Sequence, residues 1–352
     1  MGIQTNLSGN TATAEKKESR KFISYIHHFR GIAILFVVAC HLLLNWEPDS
    51  KMHKVLDLLF GNGTVLFVFI AGYLFQHLTK ELNYADYLKK KLQNVILPYF
   101  IVSIPIIIYR LYTNDVPESV TDFFQGFLSW PAVKKVFYFI ITGAHLQPLW
   151  FVPMIALFYL AAPLFFYIDR RPKLYYVLIG FVVLSVFVER EPFINIPKMF
   201  VHFISVYMFG MFMSRYKEQF LEFAKKYAWL ITLLLAVVLV SNYIFYDAFR
   251  NPLNYIQKML FCAFFIYWLW RFEKFVPSFV SYLANISFGM FFLHYYAILI
   301  IKAVYEKVAG EGLPGSLLFW TIDYILVLIS TALVINIIKK LFPRRSRNLI
   351  GC

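Results

Sequence analysis

The sequence predicts an all-α fold, a polytopic transmembrane helical bundle of about ten spans. The chain is 60% hydrophobic and 20% aromatic with only 15% charged residues, a balance too apolar for an ordinary soluble domain. Apolar runs near the length needed to cross roughly 30 Å of hydrocarbon recur from end to end. Lys and Arg gather in alternate connecting segments, as expected where cytoplasmic loops retain cations.

Taken in order, residues 1–20 are polar and rich in Gly, Ser and Thr, which predicts a disordered cytoplasmic tail. A myristoylation signal would need Ser or Thr where Asn6 stands. Spans are expected at 26–46, 55–78, 92–112, 149–168, 174–188, 199–213, 228–246, 255–271, 279–301 and 317–338. The fifth and sixth are short for a bilayer. The stretch 123–142, broken by Pro131 and by Lys134 and Lys135, reads as interfacial or re-entrant. The first apolar run would suit a signal peptide, but the spans that follow make it a retained helix. Residues 21–342 form one membrane domain, and 343–352 a basic cytoplasmic tail.

With the N-terminus inside, the inner segments carry about twice as many Lys and Arg as the outer ones, so both termini are expected in the cytoplasm. That basic inner face accounts for the net charge of +14 through membrane lipids and polyphosphate ligands, and no nucleic-acid partner is expected. Cys40, Cys262 and Cys352 make no disulfide framework. Cys40 and His41 point about 100° apart on a helix, which argues against a Cys/His nucleophile pair.

Arg30 and His41 stand out inside the first span, FRGIAILFVVACHLLLNW. Their spacing turns a helix about 20° past three full turns, so both side chains share one face about 16 Å apart. A charged residue within a span costs at least about 2.5 kcal/mol, so such residues face a protein interior or a wet cavity and mark function. Read singly, Arg30 also suits a snorkelling interfacial cation, and His41 a packed neutral imidazole.

Five pieces in order carry a family resemblance. They are Arg30-GIAILFVVAC-His41, GNGTVLFVFIAGYLF, YLKKKLQNVILPYF, LWFVPMIALFYLAAPLF and ISFGMFFLHYYAIL. Together they resemble the acyltransferase-3 family of integral membrane O-acyltransferases of cell-envelope glycans and lipids, along nearly the whole chain. Where many members have Arg-x-x-Arg before the third-span proline, this chain reads Lys91-Leu92-Gln93-Asn94, and no soluble esterase-like domain follows the last span.

The resemblance implies transfer of an acyl group, acetyl by expectation, from a cytoplasmic acyl-CoA donor to a hydroxyl of an envelope glycan or lipid-linked sugar, in a bacterial inner membrane. Acetyl-CoA is the expected donor and no metal is expected. Arg30 and His41 become the catalytic candidates, His41 as general base because an imidazole titrates near physiological pH. Arg30, Lys89, Lys90 and Lys91 are the candidates for the coenzyme phosphates, and the lysines serve the positive-inside pattern as well. His294, Trp150 and Asp323 are candidates for supporting the base or meeting the acceptor. His27, His28, His53, His77, His145 and His202 are expected at membrane interfaces. Trp130, Trp150 and Trp320 suit an aromatic belt, and Gly61, Gly63 and Gly72 suit close helix packing. The competing readings are an exporter of polysaccharide or lipid-linked sugar, which would use an intramembrane Arg/His pair without catalysis, and a non-catalytic scaffold.

Overall fold

A computed structural model describes residues 22–43, 46–47, 50–188 and 190–352, without side-chain detail at 247 and 249–251. The N-terminal tail expected over 1–20 lies outside the described residues. Among the described residues the fold is helical without strands. The first half contains α1 (Ser24–His41), α2 (Lys51–Phe60), α3 (Thr64–Leu78), α4 (Tyr84–Lys91), α5 (Leu97–Thr113), α6 (Glu118–Phe123), α7 (Ala132–Thr142) and α8 (Phe151–Leu160). The second contains α9 (Ala162–Asp169), α10 (Val177–Phe187), α11 (Ile196–Arg215), α12 (Lys217–Ile244), α13 (Tyr246–Arg271), α14 (Ser278–Ala309), α15 (Leu317–Leu341) and α16 (Ser346–Ile350).

Among the described residues, six helices are long and apolar enough to cross a membrane: Lys51–Leu78, Tyr84–Thr113, Ile196–Arg215, Lys217–Ile244, Ser278–Ala309 and Leu317–Leu341. They correspond to six of the ten expected spans. The other four depart for identifiable reasons. The first helix carries His27, His28 and Arg30; 255–271 lies in α13, whose polar turn holds Asn254, Gln257 and Lys258. The span expected at 174–188 is a short apolar helix, Pro172–Phe187. The expected span at 149–168 is divided into α8 and α9, and a 68° bend between Ala132–Thr142 and Gln147–Leu160 precedes it.

That bend is built on Gly143, whose φ of +73° caps α7 and whose added Cβ would lie 2.3 Å from the Trp150 nitrogen. Before it, Phe127, Tyr138 and Phe139 centre a small core of their own.

Two helix seams organise the main core. Gly72 of α3 meets the Tyr207 carbonyl of α11, where an added Cβ would sit 2.0 Å away, and Gly210 of α11 returns the contact to Phe69 at 2.1 Å. The numbering runs oppositely, so these helices are antiparallel. Gly31 of α1 meets the Val280 carbonyl of α14 at 2.2 Å in the same sense, but here the contacts advance together along both helices, which are parallel. The apolar window of α11 is 67% buried, whereas those of α12 and α15 are 17% and 22% buried, which puts α12 and α15 on the lipid-facing periphery.

Residues 343–352, expected as a basic cytoplasmic tail, pack against the bundle: Ser346 and Ile350 are buried, α16 packs on α5 and on the π-helical turn Leu92–Ile96, and Cys352 lies against Gly289 of α14. The space between α5 and α14 is filled by this segment.

Candidate active site

The parallel seam of α1 and α14 brings the sequence-predicted residues to one surface. Near its start, the Arg30 guanidinium donates twice to the Ala284 carbonyl, from Nε at 3.1 Å and from Nη2 at 2.6 Å. Arg30 therefore turns toward α14. Near the far end His41 meets His294, the equivalent residue of the opposite helix, with His41 Nδ1 3.2 Å from His294 Nε2. The same-face placement of Arg30 and His41 is thus realised against a single neighbour.

The hydrogen bonds fix the tautomers of this neutral pair. His294 Nδ1 lies 2.9 Å from the Met290 carbonyl and 3.0 Å from that of Phe291, so it carries the proton and leaves a lone pair on Nε2. His41 Nδ1 faces the Val37 carbonyl at 2.7 Å and that lone pair, both acceptors, so it too is protonated. The lone pair of His41 is then on Nε2, and His41 lines a cleft between α1, α14 and α15. Cys40 Sγ lies 3.7 Å from His41 Nδ1 but donates to the Val37 carbonyl, and a protonated Nδ1 cannot act as its base.

Sequence reasoning missed several neighbours. The Tyr295 ring stands edge-on to His41, with centroids 5.8 Å apart, and its hydroxyl donates to Gln147 Oε1 at 2.5 Å. Gln147 arrives through the α7–α8 bend, which no local pattern announces. Arg190 lies within electrostatic reach of His41 and Cys40 and over the rings of Trp150 and Phe203. Trp150 is buried and stacked on Phe203, so it backs Arg190 and belongs to the interior, not to an aromatic belt. Lys258, fully buried, donates to the Leu58 and Leu59 carbonyls at the end of α2. Its signal was a cation within an apolar span.

The remaining candidates separate. Lys89 and Lys90 are exposed, while Lys91 lies over the rings of Tyr87 and Tyr159. Asp323 lines the cleft with His41 but is not hydrogen-bonded to either histidine, and its Oδ1 is buried without a partner. His145 and His202 correct the interfacial expectation, since both are buried. His145 lies between Ser103 Oγ at 2.7 Å and the Phe139 carbonyl at 3.0 Å, and His202 Nδ1 contacts the Val188 carbonyl at 2.7 Å. The bend after Thr142 carries His145 inward. His27, His28, His53 and His77 are half-buried.

The family model of an acyltransferase domain matches residues 23–339, a stretch that includes α1 and α14. The chain belongs to the acyltransferase-3 family. No curated protein and no solved structure matches it significantly. Acyltransferase-3 membership agrees with the apolar, membrane-length helices of the fold.

Proposed function

We propose that this multi-pass membrane protein takes an acyl group, acetyl by preference, from a coenzyme A thioester on the cytoplasmic side. It passes the group to a hydroxyl of a cell-envelope glycan or lipid-linked sugar in a bacterial inner membrane. In this reading the chain crosses ten times with both termini cytoplasmic. The observation that carries it is the His41–His294 pair, whose hydrogen bonds leave His41 Nε2 as a base beside a cleft.

The donor lies along the α1–α14 seam. Its phosphates meet Arg30 and the Lys89–Lys91 turn, which Arg347 of the docked C-terminus joins within electrostatic reach of Lys91. About 16 Å separates Arg30 from His41 along the helix, a distance suited to the pantetheine arm. His41 Nε2 takes the proton of the acceptor hydroxyl as its oxygen attacks the thioester carbonyl. The new C–O bond forms, the C–S bond breaks, and the coenzyme leaves as a thiolate that recovers the proton from His41. During the step the His294 lone pair accepts from His41 Nδ1–H and stabilises the transient imidazolium. A covalent acyl-His intermediate would be a variation on the same geometry.

The test is release of free coenzyme A thiol from acetyl-CoA by purified protein in nanodiscs supplied with an envelope extract. His41-dependent release supports the enzyme. No release, together with movement of a lipid-linked sugar across the membrane, would favour the exporter instead.

A further inference from the structure

The cleft beside His41 is lined also by Trp46, Ile298, Lys302, Trp320 and Asp323, and it has about 30 Å³ of internal space, enough for a water or one incoming hydroxyl group. Two of its residues hold unsatisfied polar atoms: Trp320 Nε1 and Asp323 Oδ1 are buried without a hydrogen-bond partner. Buried polar groups are paired in the great majority of cases, so two orphans on one small cleft call for an explanation. They lie three residues apart on α15 and therefore share a face.

The Trp320 ring is not free to reorient toward a partner. It is stacked between Phe60, at 5.7 Å, and Tyr324, at 5.3 Å, and Tyr324 is itself tied by its hydroxyl to the Leu35 carbonyl of α1. The indole donor is thus held in a fixed position on the cleft that His41 and the Asp323 acceptor also line. Lys302, which lines the same cleft, is paired with Glu306 on its own helix at 3.8 Å.

We propose that Trp320 and Asp323 form the acceptor-positioning station of this site, and that it selects a polyol over a simple alcohol. This rests on the acyltransferase reading of His41. The indole N–H donates to an acceptor oxygen. An ionised Asp323 carboxylate only accepts, so the acceptor must bring a second O–H or N–H group next to the reacting hydroxyl. A vicinal diol meets both demands, and a monohydric alcohol leaves the carboxylate unpaired in a buried place. Trp46, on the same cleft, suits the apolar C–H face of a pyranose, while Trp320, stacked on both neighbours, offers only its N–H.

The probes are methyl β-glucopyranoside and n-butanol, with full-length protein in nanodiscs. Probe binding is followed by tryptophan fluorescence, and acetyl transfer from labelled acetyl-CoA is measured separately. Trp320→Phe keeps the stacked ring and deletes only the N–H, and Asp323→Asn keeps the shape and removes the charge, so neither should unfold the protein. Each should weaken glycoside binding roughly tenfold, the factor expected for one lost hydrogen bond of about 1.4 kcal/mol. Butanol binding should be unchanged, and in transfer assays the loss should fall on the acceptor KM more than on kcat. Wild-type glycoside affinity in both variants, or equal loss for glycoside and butanol, would overturn the proposal. Failure of the underlying acyltransferase reading looks different: no acetyl-CoA is consumed by any form, while the glycoside still binds and the variants still weaken it.

Discussion

The two glycine seams of this protein use one packing device for different ends. In α3–α11, Gly72 and Gly210 bring antiparallel backbones together among Phe69, Tyr73 and Tyr207, and the interface is dominated by aromatic packing. In α1–α14, Gly31 brings parallel backbones equally close, but the same seam holds Arg30 against Ala284 and His41 against His294. Close approach by small residues is the general means of helix association in a membrane, where water does not drive the helices together. The comparison teaches that the glycine contact marks adhesion, while chemistry is marked by the polar side chains placed along it.

The sharpest way to break this distinction is at His41. His41→Gln retains hydrogen-bonding capacity without a base and should lower acyl transfer by about 10²- to 10⁴-fold, the usual worth of general-base assistance. His41→Ala should be as inactive, yet both variants should insert and unfold thermally like the wild type, because one replaced side chain leaves the Gly31–Val280 contact in place. Near-normal turnover by the Gln form would make the α1–α14 seam as purely structural as α3–α11.

A smaller effect separates the glycines themselves. Gly72→Ala and Gly31→Ala each drive a Cβ into a backbone carbonyl that no rotamer change can move, which costs roughly 1–3 kcal/mol. Both should lower the unfolding temperature in detergent. Only Gly31→Ala should also reduce the activity of the protein that remains folded, because spreading α1 from α14 lengthens the His41–His294 contact. Equal specific activity in the two surviving populations would show that seam alignment does not matter to the site.

What the sequence made legible follows the range of the physics. The common face of Arg30 and His41 depends on helix periodicity alone and is found in the structure. Membrane helices follow from composition, although the polar residues of α1 and α13 and the break at Gly143 depart from a uniform count of spans. The pairing of α1 with α14 joins residues far apart in sequence and has no local signature. The burial of His145, Trp150, Ser346 and Ile350 was illegible for the same reason, since it depends on spaces left by other helices. Gln147 and Tyr295 become neighbours only through such packing.

The smallest predicted effect concerns the lysine turn, where sequence treats three residues alike and structure does not. Lys91 is held over two tyrosine rings and packed beside the segment that carries Arg347, whereas Lys89 and Lys90 are exposed. Exposed charges are screened at distances beyond roughly 8 Å in physiological salt and contribute little to a contact. Lys89→Gln and Lys90→Gln should therefore raise the apparent KM for acetyl-CoA only at low ionic strength, by no more than about twofold. Lys91→Gln also loses cation–π contacts worth about 0.5–2 kcal/mol, so its effect should reach several-fold and survive added salt. If all three variants respond identically to salt, the turn acts as a diffuse cationic surface, and the donor site must be organised around Arg30 and the α1–α14 seam alone.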